Sequence, residues 1–207
     1  MCGRFYLDVD FDDILDRYGY LIFDDHYTPR DEIYPTQKIT TISRSDNELQ
    51  MTYMDWGFTA SFTKQPLINA RSETVFQKPM FSDTILEGRC IVPATGYFEW
   101  LKEGRNKIKY SVFMEDHTLF SMAGVYRILN QSPSQYVYQV SILTQEATPD
   151  IAWLHNRMPL ILDSSIEKNY LDADLKINDI KAFFQTPLSK HLQTHTTEAK
   201  QISLFDL

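Results

Sequence analysis

Cys2 stands directly after the initiator methionine. Methionine aminopeptidase trims Met1 when the second residue is small, and cysteine qualifies. The trimmed chain would begin with a cysteine carrying a free α-amine next to its thiol. An α-amine titrates near ~8 and a thiol near ~8.5, so both are partly in the nucleophilic form at neutral pH. Such a 1,2-aminothiol suits capture of an aldehyde: the amine forms a Schiff base, then the sulfur closes a five-membered thiazolidine ring. A cysteine in second place can equally be an accident of the start codon.

Three further segments carry residues that could serve such chemistry. In Leu67-Ile68-Asn69-Ala70-Arg71-Ser72-Glu73-Thr74, Asn69 beside Arg71 pairs a neutral orienting amide with a cation that could clamp a phosphate. A loop asparagine followed by a helix-capping Ser72 is the plain alternative. In Arg89-Cys90-Ile91-Val92-Pro93-Ala94-Thr95-Gly96-Tyr97-Phe98-Glu99-Trp100, Glu99 interrupts an aromatic run. A carboxylate desolvated among rings is suited to proton transfer, whereas simple alternation would point Glu99 to water with Phe98 and Trp100 inward. Cys90 lies in an apolar stretch and reads as a small core residue. In Trp153-Leu154-His155-Asn156-Arg157-Met158-Pro159, His155 precedes an apolar run and is either a proton shuttle at an element boundary or a histidine satisfied in the core.

The elements that must hold these residues can be read coarsely. Phe11, Ile14, Leu15 and Tyr18 recur at helical spacing, so Asp10 to Tyr18 is expected as a helix with Asp10 as N-cap and Gly19 as its end. Strands are expected over 49–58, over 89–92 and 97–102 around a turn at 93–96, then 108–114 after a hairpin loop at 102–107, and over 119–125 and 136–143. Segments 150–155, 165–171 and 177–184 look helical. The expected fold class is α+β: a single domain spanning 1–207, with a mainly antiparallel, barrel-like sheet flanked by helices.

Composition sets limits. With 207 residues, 43% hydrophobic and 28 aromatic rings, the chain can bury a globular core. No apolar run reaches membrane-spanning length, and the first residues lack a signal-peptide pattern, so no membrane partner and a location in the bacterial cytosol or nucleoid are expected. Two cysteines are too few for a secreted disulfide scaffold. The formal charge of −8 sits mainly in residues 1–60, which carry 5 basic and 12 acidic side chains, while residues 61–160 carry 10 and 9. A local basic groove can survive that total, but high affinity built on many phosphate contacts is not expected. His191 and His195 would face one way if helical, yet they lack a third ligand; Asp12, Asp13 and Asp16 read as a solvated helix face. No metal and no cofactor are expected.

Taken together and in order, Met-Cys-Gly-Arg-Phe at the start, Asn-Ala-Arg-Ser-Glu-Thr, Gly-Arg-Cys-Ile-Val-Pro-Ala-Thr-Gly-Tyr-Phe-Glu-Trp and His-Asn-Arg-Met-Pro resemble the SOS-response-associated peptidase (SRAP) family, the abasic-site processing proteins. The resemblance runs from residue 1 to about residue 162; the part from 163 to 207 diverges. It implies that Cys2 crosslinks to an abasic site in single-stranded DNA, and that Asn69 positions the Cys2 amine and the ring-opened sugar. Glu99 would assist Schiff-base formation and self-removal of Met1. His155 would act as acid and base on the sugar hydroxyl. Arg4 and Arg71 would bind flanking phosphates, and Phe62, Trp56 and Pro35 would contact the strand. It implies cysteine-type peptidase activity on itself and, as a variant, strand scission by β-elimination. One lesion needs no second subunit, so a monomer is expected.

Three departures from the family pattern stand out. Glu32 occupies the place of an asparagine before Tyr34-Pro35-Thr36-Gln37. Trp56-Gly57-Phe58-Thr59-Ala60-Ser61-Phe62 lacks the family's proline, with Phe62 in the place of a wedge residue. The tail beyond about 185 lacks the expected C-terminal motif. Two other classes fit parts of the pattern: an N-terminal-cysteine amidohydrolase acting on acyl carbons, and a non-covalent module reading single-stranded or modified DNA.

Overall fold

The computed structural model describes residues 2–132 and 135–197. In chain order it runs through β1 (Phe5–Leu7), α1 (Phe11–Tyr18), β2 (Arg30–Ile33), β3 (Lys38–Ser45), β4 (Glu48–Trp56), β5 (Phe58–Ala60), β6 (Thr63–Leu67) and β7 (Asn69–Arg71). After α2 (Thr84–Glu87) come β8 (Arg89–Ala94), β9 (Gly96–Glu103), β10 (Asn106–Met114), β11 (Phe120–Ser132) and β12 (Gln135–Glu146). Then follow β13 (Arg157–Pro159), β14 (Ile161–Leu162), α3 (Glu167–Tyr170), α4 (Ile177–Phe184) and β15 (Leu192–Thr196).

The expected α+β class with a barrel-like sheet is what the chain adopts. β12, β4, β3, β8 and β11 join edge to edge, and β11 pairs back onto β12, so the sheet closes on itself. β7, β13 and β14 extend this eight-stranded sheet. Pairing is antiparallel except where β12 meets β4 and β7. A second, five-stranded antiparallel sheet runs β15-β10-β9-β1-β2. Every residue of β8 is buried, as expected of a near-continuous apolar strand covered on both faces.

α1 forms where its apolar spacing predicts. Ile14 and Tyr18 are buried, the Asp10 N–H donates to the Asp13 carboxylate, and Gly19 at φ +85 ends the helix. Two expectations are corrected. First, segment 93–96 is not a hairpin turn: β8 runs on to Ala94, the chain bends at Thr95, and β9 starts in the other sheet. Thr95 anchors that bend, its N–H donating to the Tyr6 carbonyl at 3.0 Å and its hydroxyl receiving the Asp8 N–H. Second, residues 150–154 form turns rather than a helix. His195 lies on strand β15 and His191 just before it, so the helical spacing that would set them on one face is not adopted. The hairpin at 102–107 is present, with Gly104 at φ +61 in its turn.

Among the described residues, no helix is long and apolar enough to cross a membrane, and no group of three or more His, Cys, Asp or Glu side chains is arranged to hold a metal ion.

Candidate functional site

Cys2 sits where the two sheets meet. Its carbonyl accepts a 2.8 Å hydrogen bond from the Asn69 side-chain amide, on β7 of the barrel. Two residues on, the Arg4 carbonyl accepts the Phe98 N–H at 2.8 Å, on β9 of the smaller sheet. The Cys2 thiol lies 3.8 Å from that same carbonyl. The segment before β1 is thereby fixed from both sides, and Cys2 is fully buried. Burial, seconded by the nearby Glu99 carboxylate, pushes the Cys2 thiol up to about 12. In this environment the folded site favours the protonated thiol.

Glu99 is 5% exposed, whereas Trp100 is only half-buried. Simple alternation with Glu99 facing water is thus not what occurs. Side chains two apart on a strand share a face, and on β9 Tyr97 and Glu99 both lie close enough to Cys2 for their charges to act on one another. The other face carries Phe98 and Trp100, which meet cations instead. Gly96 permits this arrangement: it pairs with Tyr6, and a Cβ there would lie 2.1 Å from the Tyr6 hydroxyl oxygen.

Asn69 and Arg71 are held by the parallel register of β7 on β12, in which Asn69 faces Ile142 and Arg71 faces Thr144. Trp56 also holds Asn69 in place. Its indole N–H donates to the Ile68 carbonyl at 3.0 Å, and its ring packs edge-on to Phe5 at 5.2 Å. Trp56 is fully buried, so the expectation that it contacts DNA is corrected. A large ring with one polar edge is well placed inside when that edge finds a carbonyl. Backbone hydrogen bonds from Trp56 also fasten the turn containing Pro35 and Thr36.

His155 is placed two residues ahead of β13, across β12 from β7. Its Nδ1 lies 2.9 Å from the Arg157 N–H and 3.0 Å from the Arg157 carbonyl. Nδ1 can accept that N–H in one tautomer and donate to that carbonyl in the other. Arg157 grips the Glu73 carboxylate with both terminal nitrogens, at 2.5 and 3.0 Å, and donates to the Thr144 carbonyl at 2.7 Å. This bidentate bond is the main reason the Glu73 carboxyl lies below its ordinary range. The Asn-Ala-Arg-Ser-Glu-Thr and His-Asn-Arg-Met-Pro segments are thus tied together physically.

Beside Asn69 opens a groove of about 840 Å³, lined among others by Phe62, Arg71, Lys78, Met80 and Arg127. Phe62 projects from the β5–β6 turn and is 73% exposed. Arg4 and Pro35 are not in its lining; Arg4 instead meets Glu32 and Tyr34 on the β1–β2 side. Lys78, Arg127, Lys109 and Tyr97 escaped the sequence reading. Only Tyr97 left a signal there, its place two residues before Glu99; the others come together through pairing between distant strands.

A family model for SOS response associated peptidase (SRAP) matches residues 1–203. The chain is 32% identical over 180 residues to abasic site processing protein YoqW of Bacillus subtilis, covering 83% of this chain and 80% of the relative. It is 28% identical to abasic site processing protein YedK of Escherichia coli, covering 84% and 81%. A crystal structure of a Bacteroides thetaiotaomicron protein superposes with TM-score 0.76 at 26% identity, over 94% of this chain and 91% of that one. A Bordetella bronchiseptica protein at 18% identity shares the fold with TM-score 0.80, over 96% of this chain and 100% of that one. The chain belongs to the SOS response associated peptidase (SRAP) family.

Proposed function

We propose that this chain processes abasic sites in DNA by covalent capture, with Cys2 as the capturing residue once Met1 is gone. Met1 itself lies outside the described residues. The names of the relatives support the substrate. The observation that carries the chemistry is the Cys2 backbone held by Asn69 at 2.8 Å, with the thiol beside Glu99. The Asn69 side-chain oxygen is buried without a hydrogen-bond partner among the described residues, so it is available to accept from a freed α-amine.

The Cys2 amine adds to the aldehyde carbon of the ring-opened sugar, and the carbinolamine loses water to give an imine. The S–H then adds across the C=N bond: a C–S bond forms and the thiol proton ends on nitrogen. A protonated thiol would order these steps, with the amine first and the sulfur second. Glu99 is the group that would take the thiol proton and return it to nitrogen. His155 would exchange a proton with the sugar hydroxyl as the ring opens. Glu99 would likewise act as base when water is added across the Met1–Cys2 peptide. β-Elimination from the imine, with strand scission, is the competing outcome if the sulfur does not close the ring.

The groove next to Asn69 would take one short stretch of single strand. Phe62 offers an exposed ring for stacking, worth roughly 1–3 kcal/mol per base, and Arg71 supplies a cation for a phosphate. No second subunit is needed.

The test is denaturing gel electrophoresis of the protein with single-stranded DNA carrying one abasic site, beside Cys2→Ala. A heat-stable shifted band that needs both Cys2 and the lesion is expected, with cleaved DNA as the signature of elimination. No band from protein whose mass proves loss of Met1 would overturn the proposal. Steady turnover of peptide-like substrates would indicate the amidohydrolase, and a shift seen only on native gels the non-covalent module.

A further inference from the structure

We propose that the Glu32 carboxylate occupies a phosphate seat between Arg4 and Lys109, so that single-stranded DNA must displace it to bind on this flank. The proposal rests on the DNA reading above. One oxygen of Glu32 takes both cations: Arg4 Nη1 at 3.1 Å and Lys109 Nζ at 2.6 Å. The other accepts the Tyr34 hydroxyl at 3.1 Å. Two cations and a hydroxyl converging on anionic oxygens form the donor set that a phosphodiester would find.

The cations also rest on aromatic rings, and those of Trp100 and Phe98 are not among the groups that bond Glu32. The Arg4 guanidinium lies 4.2 Å from the Tyr34 ring centre and 5.0 Å from that of Trp100, and Lys109 Nζ lies 3.8 Å from that of Phe98. Removing Glu32 therefore leaves a formed site rather than two loose side chains. That site is accessible, since the Arg4, Glu32 and Lys109 side chains are 30%, 26% and 23% exposed. Ion pairs so placed are individually weak, which makes the carboxylate exchangeable. Burial alone would raise the Glu32 carboxyl, but hydrogen bonds from Lys109, Arg4 and Tyr34 hold it below its ordinary range, so it is anionic at neutral pH.

The seat sits on the opposite face of β9 from Glu99, and its two cations come from just before β1 and from β10. A strand that reaches from the Asn69 groove to this flank gains two phosphate-binding cations only by displacing Glu32. The seat therefore sets strand affinity while leaving the reacting atoms untouched.

The experiment measures fluorescence anisotropy of a labelled, undamaged ten-nucleotide oligothymidylate at several salt concentrations, with the whole chain. Glu32→Gln should bind on the order of tenfold more tightly at low salt. Its slope of log affinity against log salt should steepen by about 0.7 for each phosphate gained. Glu32→Gln combined with Lys109→Gln should lose the gain. Asp31→Asn makes the same change in net charge at an exposed neighbour and should change little. Unchanged affinity and slope in a normally melting Glu32→Gln protein would overturn the proposal, as would an equal gain from Asp31→Asn. If Glu32→Gln fails to melt cooperatively, Glu32→Ala carries the same test. The crosslinking gel reports separately on covalent capture. A gain in oligothymidylate affinity without any crosslink leaves the seat standing and removes the capture chemistry; a crosslink with no Glu32 effect does the reverse.

Discussion

The raised pKa of the Cys2 thiol has a measurable pH signature. Burial raises its pKa from an ordinary value near 9 to about 12. A raised acid stays protonated in the fold while the unfolded chain ionises, so the stability associated with it is complete below pH 9 and declines as pH rises toward 12. The same shift governs reactivity, because the thiolate is the form that alkylates. Iodoacetamide should therefore label Cys2 of the native protein very slowly at pH 8, about tenfold faster per added pH unit, and rapidly at pH 8 in urea. Cys90 is buried and pushed up further still, so it should remain silent throughout, as read by peptide mass spectrometry. Fast labelling of native Cys2 at pH 8 would contradict the protonated thiol. Sequence reveals the pairing of amine and thiol at Cys2, since that depends only on position in the chain. It does not reveal the thiol's state, which depends on what folds around it from β7 and β9.

Strand β9 divides its work between two faces, and that division predicts two separable losses. Tyr97 and Glu99 turn toward Cys2, while Phe98 and Trp100 turn toward Lys109 and Arg4. Glu99→Gln should slow crosslink formation at saturating DNA by about 10²-fold or more, the typical size of a general acid–base contribution, with little change in binding of undamaged strand. In the Glu32→Gln background, where no carboxylate occupies Arg4, Trp100→Ala should weaken binding while leaving the saturated rate nearly unchanged, since it loosens the Arg4 flank and leaves Glu99 in place. Single-turnover gels and anisotropy titrations separate the two, and a parallel loss of both quantities in both variants would refute the division. The two-residue period that creates these faces is written in the sequence, yet it does not say which face looks inward. The direction is set by β1 and β10 pairing on either side of β9, contacts between segments far apart in the chain. Likewise α1 is legible from Phe11, Ile14, Leu15 and Tyr18 because a helix is local. The sheet switch at Thr95 is not, because the Pro93-to-Gly96 run looks like a turn until its distant partners are known.

At the scale of the molecule, α1, β11 and α3 are fastened by one buried carboxylate. Glu167 is 3% exposed and accepts from Ser121 at 2.6 Å and from Arg17 at 2.9 Å, while Tyr18 shares the Ser121 hydroxyl at 2.9 Å. Removing one partner of a buried pair leaves the remaining polar groups uncompensated, at a cost of roughly 3–5 kcal/mol. Glu167→Ala should accordingly lower the melting temperature by about 6–20 °C, at ~2–4 °C per kcal/mol for a chain of this size. A shift under about 2 °C in calorimetry would mean that water replaces the carboxylate.

The distribution of charge makes a second prediction at this scale. The net charge of −8 disfavours a nucleic-acid partner at long range, and the acidic excess lies in the first 60 residues. The groove beside Asn69 nonetheless gathers Arg71, Lys78 and Arg127 from β7, the following turns and β11, a local basic lining within an acidic protein. With Arg4 and Lys109 engaged by Glu32, about three phosphates can be neutralised, which sets a log–log salt slope near −2 for single strands at ~0.7 per contact. Proteins that rely on electrostatics for affinity have much steeper slopes, so under the proposed function the lesion and the stacking surface of Phe62 would supply the preference. Affinity for undamaged strand should fall only modestly between 50 and 200 mM salt, by roughly 10- to 20-fold at that slope. Crosslinking at saturating DNA should hardly change over the same range, because the bonds proposed to form at Cys2 involve no phosphate. A slope steeper than about −4 would mean that additional cations engage the strand, and Lys38, Lys64 and Lys102, which are exposed on other strands, would be the first to replace.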